Sequence, residues 1–394
     1  MTEASTEQAS TGPVSTPVAG LAARYDRDLR IERVEVVPIR VPLAQKFQGS
    51  HYSMTTRCTI ITRVYTAGGI VGEAFNGDTD DGQAEIAGII TEEITPHLLG
   101  MSAMNTEGCW QASLPPSYDI LRDRSLALQA MACVDSAVWD AVGKALDVPL
   151  YQLWGGYTDR LPAICIGGYY TDDEADVARQ IEHYAELGFA GCKFKVGRLS
   201  PEDDAQRTRL ARRAGGADFV LMVDANQGYT RDEALRFARA TAELDLRWFE
   251  EPCRWLNDRR DMRDVRVMGG IPVTAGQSES TRAGLRDLIA AGAVDACNAD
   301  ASWIGGPSEW RRIASVAAVH EVAMAHHEEP QVAAHLLASI PHGTYLETFA
   351  PERDPLFWNL IANRREFTGG HYLVPDGPGL GLELDAGYVA RYRV

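Results

Sequence analysis

Seven strand-like runs in the second half of this chain each end on a polar or charged residue: Lys195, Asp224, Glu250, Gln277, Asp300, His327 and Glu347. Successive end residues stand 20 to 29 residues apart. One strand, one helix and two short loops need about that length. Helical patterns fill the gaps, near 201–214, 230–244, 257–268, 281–291, 307–319 and 331–339. Ahead of the series, Pro162 to Tyr169 reads as a strand and 173–187 as an amphipathic helix, making eight strands and seven helices. A strand–helix unit repeated at this period predicts an α/β fold with a parallel barrel. In a barrel the C-terminal ends of the strands converge on one face. Two lysines, several carboxylates and a histidine are therefore expected around one pocket.

The region before the barrel has a different pattern. Arg30 to Ile39 alternates apolar and polar residues, Cys58 to Tyr65 reads as a strand, and Thr66 to Gly69 as the turn to its hairpin partner, Ile70 to Ala74. Pro42 to Thr56 reads as a loop holding Phe47, Gly49, His51 and Tyr52. Residues 83–98 and 105–113 read as helical, and Ser125 to Leu146 as one long helix. These patterns predict an α+β unit over 29–155, followed by a barrel over 156–365. Residues 366–394, with Gly369-Gly370 and Pro375 to Gly381, read as turns and short strands that return to the first unit. Residues 1–28, rich in Thr, Ser, Ala, Glu and Pro, read as a disordered tail without a signal-peptide pattern.

Composition bounds the partners. The net charge of −17 argues against nucleic acid or an anionic membrane. A small anionic substrate stays compatible, because lysines and a metal make a local positive site. Seven cysteines, an odd number with no CxxC pair, read as reduced core thiols of a cytoplasmic protein. No run approaches the length of a transmembrane span.

The strand ends carry the chemistry. Asp224 and Glu250 end neighbouring strands, so both reach a shared ion, and magnesium prefers such hard oxygen ligands. The next strand ends Ala275-Gly276-Gln277-Ser278-Glu279, which leaves Gln277 and Glu279 as alternatives for the third ligand. A single acid of this kind is usually a solvated loop carboxylate; three consecutive strand ends are not. Lys193 and Lys195 alternate on one strand, so both point inward. Their mutual repulsion and a nearby metal are expected to lower a lysine pKa and make a base available near neutrality. Asp300 and His327 end adjacent strands, and the carboxylate is expected to orient the ring and raise its pKa. His326 and His327 are consecutive, so only one faces the mouth. Glu347 is placed to hydrogen-bond substrate. A base on one side, a His–Asp dyad opposite and a metal between suit abstraction of a proton α to a carboxylate, with the metal stabilising the enediolate.

At these residues the chain resembles the mandelate racemase subgroup of the enolase superfamily over nearly everything after residue 30. Lys193-Phe194-Lys195 is similar to the family's lysine pair, Val223-Asp224-Ala225-Asn226-Gln227 to its first metal strand and Phe249-Glu250-Glu251-Pro252 to its second. Asp300 to Gly306 matches the dyad aspartate segment, and Tyr345-Leu346-Glu347 the acidic eighth strand. His327, eight residues before the His335 of Ala334-His335-Leu336-Leu337, is favoured over His326 as the dyad histidine. The resemblance implies a (β/α)7β TIM-like barrel under an α+β capping domain, one magnesium ion per site, a small carboxylate substrate and a homo-oligomer. The family usually has glutamate where Gln277 stands, which leaves the third ligand open.

The same resemblance implies a sugar-acid dehydratase acting on an aldonate or aldarate, with Lys195 removing the α-proton and a protonated His327 donating to the departing 3-hydroxyl. Racemisation, epimerisation and cycloisomerisation are the alternatives. A non-catalytic ligand-binding relative is a further one, prompted by Gln277. Asn226, with His51 and Tyr52 from the Phe47–Tyr52 loop, is expected to contact substrate. The polar residues His51, Tyr52, Asn76 and Asp78 of the capping loops suit a hydroxylated substrate.

Overall fold

The computed structural model describes residues 28–77 and 82–394. Residues 1–27 of the anticipated tail, and Asp78 in the second capping loop, lie outside the described residues. The described chain opens with an antiparallel sheet of β1 (Ile31–Gln48), β2 (Ser53–Thr66) and β3 (Val71–Asn76). The loop expected from Pro42 to Thr56 is a correction: strand pairing resumes beyond Pro42, with Phe47 opposite Met54 and Gln48 opposite Ser53. Pro42 lacks a backbone N–H, so the ladder slips there and then recovers. What remains of the loop is a tight turn that carries Ser50 and Tyr52 towards the barrel.

The helix Arg124–Leu146 lies against this sheet. The approach is close enough that a Cβ on Gly72 would stand 2.0 Å from the Ala137 carbonyl oxygen, so only glycine fits there. On the same helix, buried Asp140 accepts hydrogen bonds from the backbone N–H of Glu73 (2.7 Å) and of Leu380 (2.7 Å). One carboxylate thus ties the first sheet, the helix and the C-terminal segment together.

Eight parallel strands follow: β4 (Arg160–Gly167), β5 (Gly191–Lys195), β6 (Val220–Asp224), β7 (Phe249–Glu250), β8 (Val273–Ala275), β9 (Ala296–Cys297), β10 (Ala323–Met324) and β11 (Leu346–Thr348). They pair in chain order from β4 to β10, and β11 pairs with β4. Met324 of β10 exchanges backbone hydrogen bonds with His342 (2.8 Å) and Thr344 (2.9 Å) just ahead of β11, so the two edges of the sheet meet there. Between the strands run seven helices, from Ala175–Glu186 to Pro330–Ala338, close to where the sequence pattern puts them.

Strand alternation divides the side chains. Cys192, Phe194, Leu221, Val223 and Phe249 join the large core shared with the helices. The opposite face of the same strands points inward. Ile164, Met222, Trp248 and Ala325 form a separate apolar cluster there, and above it come Lys193, Lys195, Asp224 and Glu250. Polar residues at this depth are placed by the period of two and the parallel register, in which Lys195 pairs with Asp224 and Asp224 with Glu250.

After β11 the chain forms a hairpin, β12 (Phe367–Thr368) and β13 (His371–Leu373), which pairs with the start of β4. It then ends in a helix, Ala386–Tyr392, where the sequence pattern shows only turns and short strands. Asp385 caps that helix through the Tyr388 N–H, a local device hidden by the Gly- and Pro-rich run before it. Val394 donates its N–H to Pro38 of β1 (3.0 Å). All seven cysteines are buried and none forms a disulfide. No described helix is long and apolar enough to cross a membrane.

His335 shows how the C-terminal segment is pinned. Its Nδ1 accepts the Tyr151 N–H (3.2 Å) and its Nε2 faces the Leu380 carbonyl (3.0 Å), a neutral tautomer with both nitrogens used. Burial pushes its pKa down to about 4, from 6.5. The unfolded chain therefore binds a proton below 6.5 that the folded chain refuses until about 4, and stability falls as the pH drops through that window. His335→Gln keeps an acceptor and a donor without titrating. Urea denaturation near pH 4.5 is expected to show it losing about 2 kcal/mol less than the unaltered protein relative to neutral pH; equal losses would remove His335 from the acid response.

Candidate active site

Lys193 sits at the centre of the barrel mouth and is fully buried. Its Nζ donates to Glu250 Oε1 (2.7 Å) and Glu347 Oε2 (2.8 Å), and Asp224 Oδ2 stands 4.0 Å away. Lys195, on the same face of β5, donates to Asp224 Oδ2 (2.7 Å). The expected fall in lysine pKa is not what this geometry produces. Burial does favour the neutral amines, but Glu250, Glu347 and Asp224 outweigh it at Lys193, and Asp224 does so at Lys195; both shift upward. Each lysine is closer to a carboxylate than to a competing charge, so attraction prevails over lysine–lysine repulsion. Glu250 and Glu347 are shifted upward in turn, first by burial.

Asp224 is held in place by the chain that follows it. Its Oδ1 accepts the Asn226 N–H (2.8 Å), and Asn226 Nδ2 donates to Oδ2 (3.1 Å). Asn226 and Gln227 adopt left-handed backbone conformations, as do Glu251, Glu328 and Glu329 after other strands. Such strain at the mouth is common where side chains must be aimed accurately. Ser50 of the capping turn reaches Asn226 Oδ1 (3.4 Å), and the Tyr52 ring lies 5.5 Å from Lys195 Nζ. His51, between them in the turn, is exposed.

The two alternatives at the end of β8 separate cleanly. Gln277 is buried, its Nε2 donating to Glu251 Oε2 (3.2 Å) and its Oε1 facing Asn298 Nδ2 (3.4 Å). Glu279 pairs instead with Arg259 on the surrounding helix Asp258–Gly269, and that ion pair draws it outward. Among the described residues no three His, Cys, Asp or Glu side chains form a ready cation cage, as follows from an amide standing at the third position. Glu251, which the strand-end pattern does not single out, is the buried acid on this side. Ser278 Oγ donates to it (2.6 Å), and burial raises its pKa to about 7.

The histidine pair also resolves. His326 turns into the core, where its Nε2 accepts the Ala301 N–H (3.1 Å) and its Nδ1 faces the His327 carbonyl (2.9 Å). His327 faces the mouth. Its Nδ1 lies 2.9 Å from Asp300 Oδ2, its Nε2 lies 3.4 Å from Glu328 Oε1, and the Trp303 ring packs over it at 5.0 Å. The expected rise in its pKa is a correction. Burial pushes it down, and Lys193 and Lys195 add to that against the pull of Glu328. Glu328 in turn bonds to buried Arg57 of the capping sheet (3.0 Å), which also approaches Glu329 (3.6 Å) and Asp354 (3.4 Å). Nothing in the local pattern around Arg57 marks it; only its place opposite the barrel does.

The geometry is matched by comparison. A family model described as "Mandelate racemase / muconate lactonizing enzyme, N-terminal domain" matches residues 31–155, and one described as "Enolase C-terminal domain-like" matches 176–388. A 3,6-anhydro-alpha-L-galactonate cycloisomerase of Streptomyces coelicolor is 32% identical, covering 92% of this chain and 99% of its own. A mandelate racemase/muconate lactonizing enzyme from a marine actinobacterium, solved with magnesium, superposes with a TM-score of 0.88 at 50% identity, over 93% of this chain and 99% of that one. A mutant of L-talarate/galactarate dehydratase, solved with magnesium and L-glucarate, gives 0.88 at 26% identity, over 100% and 97%.

Proposed function

The chain belongs to the mandelate racemase/muconate lactonizing enzyme family of the enolase superfamily, and on that footing we propose that it removes the proton α to the carboxylate of a sugar acid and then eliminates water. The observation that carries this reading is the pairing of two proton carriers with separate carboxylates at one mouth: Lys195 with Asp224 (2.7 Å) and His327 with Asp300 (2.9 Å).

The donor set suits a hard divalent cation. Glu250 Oε2 is a buried carboxylate oxygen with no hydrogen-bond partner, Asp224 pairs in register beside it, and Gln277 adds an amide oxygen. In this reading Asp224, Glu250 and Gln277 hold one magnesium ion, which when bound supplies positive charge for the substrate carboxylate and for the charge that grows on it. Lys195 takes the α-proton; its one close carboxylate among the described residues is Asp224, so its proton affinity depends on where that carboxylate points. Lys193 stays charged between Glu250 and Glu347. His327 gives the departing hydroxyl a proton from Nε2, while Asp300 fixes Nδ1. The Glu328 carboxylate beside Nε2 favours the charged ring at that moment. Asn226, Ser50 and Tyr52 are placed for substrate hydroxyls. A homo-oligomer in the cytoplasm completes the reading, and light scattering after size exclusion tests the assembly.

Cycloisomerisation is the second reading, favoured by the Streptomyces relative's activity. Incubating the magnesium-loaded protein in D2O with aldonates, aldarates and their lactones separates the outcomes. Dehydration yields a 2-keto-3-deoxy acid; racemisation yields deuterium at the α-carbon without loss of water; cycloisomerisation opens a ring. Turnover of mandelate-like acids with none of sugar acids would sink the substrate class.

Gln277→Glu restores a third carboxylate. It is expected to tighten the magnesium Kd by about tenfold in calorimetric titration, because a carboxylate binds the ion more strongly than an amide. An unchanged Kd would place Gln277 outside the coordination sphere.

A further inference from the structure

Two arcs of the barrel connect Lys195 to His327. One runs over the ends of β6 to β9 and carries Asp224, Glu250, Gln277 and Asp300. The other runs over β4 and β11, which pair directly. A substrate whose reacting carboxylate faces the first arc extends the rest of its chain towards the second.

On that second arc stands a buried cation with no carboxylate within ion-pairing distance among the described residues. Arg353, in the loop after β11, is only 2% exposed. Its Nε and Nη1 have no hydrogen-bond partner. Its Nη2 contacts the thioether of Met54 in the capping sheet, a weak acceptor. The guanidinium rests on the Phe349 ring, 4.3 Å from its centroid, and it forms no ion pair with a carboxylate among the described residues. The neighbouring Arg57 is different, with Glu328, Glu329 and Asp354 all around it. Those three acids are therefore engaged elsewhere. Beside Arg353, just past the end of β4, the Tyr169 hydroxyl is also buried without a partner, its ring packed edge-on against Phe47 at 5.1 Å. Tyr52 and Glu328 complete the charged or ionisable surroundings, and both adjoin the reacting pair.

A buried guanidinium is costly unless an anion and hydrogen bonds satisfy it. Arg353 offers three free N–H groups, one on Nε and two on Nη1, and Tyr169 a fourth donor. We propose that Arg353 and Tyr169 receive a second carboxylate, at the far end of the substrate, so that the substrate class is a sugar diacid rather than a monoacid. The inference rests on the sugar-acid reading above and narrows it. A terminal hydroxyl offers no charge to match the guanidinium, whereas a carboxylate accepts several of these bonds at once.

The experiment measures kcat/KM for paired acids that differ only at the far end, galactarate against galactonate and glucarate against gluconate. The unaltered enzyme is expected to prefer the diacid of a processed pair by at least about a hundredfold. Arg353→Met is expected to erase most of that ratio, Arg353→Lys to restore part of it, and Tyr169→Phe, which removes one oxygen, to lower it about tenfold. If Arg353→Met fails to fold by circular dichroism, Tyr169→Phe decides. A ratio near one in the unaltered enzyme, or one unmoved in the folded variants, overturns the inference and leaves the dehydratase reading intact. If neither acid is processed, that reading fails, and calorimetry on Lys195→Ala settles the diacid site alone: a diacid that binds no tighter than its monoacid partner overturns it.

Discussion

Lys195→Ala is expected to lower α-proton exchange and turnover by about 10³- to 10⁴-fold while the protein stays folded. Lys195 is the base candidate at the end of β5 with a single close carboxylate, Asp224 at 2.7 Å. Removing it takes away the proton acceptor, yet Asp224 keeps two bonds to Asn226 (2.8 and 3.1 Å) and Lys193 at 4.0 Å. The carboxylate is thus not stranded, and the cost falls on chemistry. Deuterium incorporation followed by NMR in D2O is the direct readout. The contrast with His327→Asn sharpens it: under the dehydratase reading, loss of His327 stops water elimination but leaves exchange at the α-carbon. Exchange in Lys195→Ala within tenfold of the unaltered protein would move the base to His327.

Lys193→Met is expected to act on stability. One ammonium holds Glu250 and Glu347 at 2.7 and 2.8 Å, all three groups buried inside the barrel. Methionine fills a similar volume but leaves two carboxylates facing each other without a cation. Breaking a buried pair by removing one partner costs about 3–5 kcal/mol, and urea denaturation in the presence of a chelator at neutral pH should show a loss of that size. Burial already raises the pKa of both carboxylates, and without Lys193 they rise further. Protonation then relieves the repulsion, so the deficit is expected to shrink as the pH falls towards 5. Glu347→Gln in the Lys193→Met background should recover about 1–2 kcal/mol. A double variant as unstable as the single one would show that the carboxylates were never in conflict.

The barrel is legible in the chain because its signals are local. Period-two alternation places Lys193 and Lys195 on one face of a strand, and the spacing of strand ends places Asp224, Glu250, Gln277, Asp300 and His327 around one mouth. The errors lie where longer-range contacts decide. Pro42 reads as the start of a loop because the pairing that continues past it comes from β2, on the other side of a turn. Glu279 reads as a possible ligand because nothing nearby in the chain reveals that Arg259, twenty residues earlier, holds it outward. The lysine pKa shifts take the opposite sign to that expected because a sequence shows which charges exist but not which of them stand closest, and the His327 shift does so because burial, which the sequence does not measure, outweighs its carboxylate neighbours.

The strand–helix period, the inward-facing series and the residue types at each strand end follow from the order of amino acids alone. These depend on neighbours within a few residues, where backbone geometry leaves little choice. Folding in three dimensions is what turns His327 rather than His326 to the mouth, keeps Gln277 rather than Glu279 there, sets each lysine against its carboxylates and buries Arg353 with its Nε and Nη1 unbonded. Those outcomes turn on distances of a few ångströms between groups far apart in the chain, and Coulomb energy and desolvation depend on such distances, not on order along the backbone.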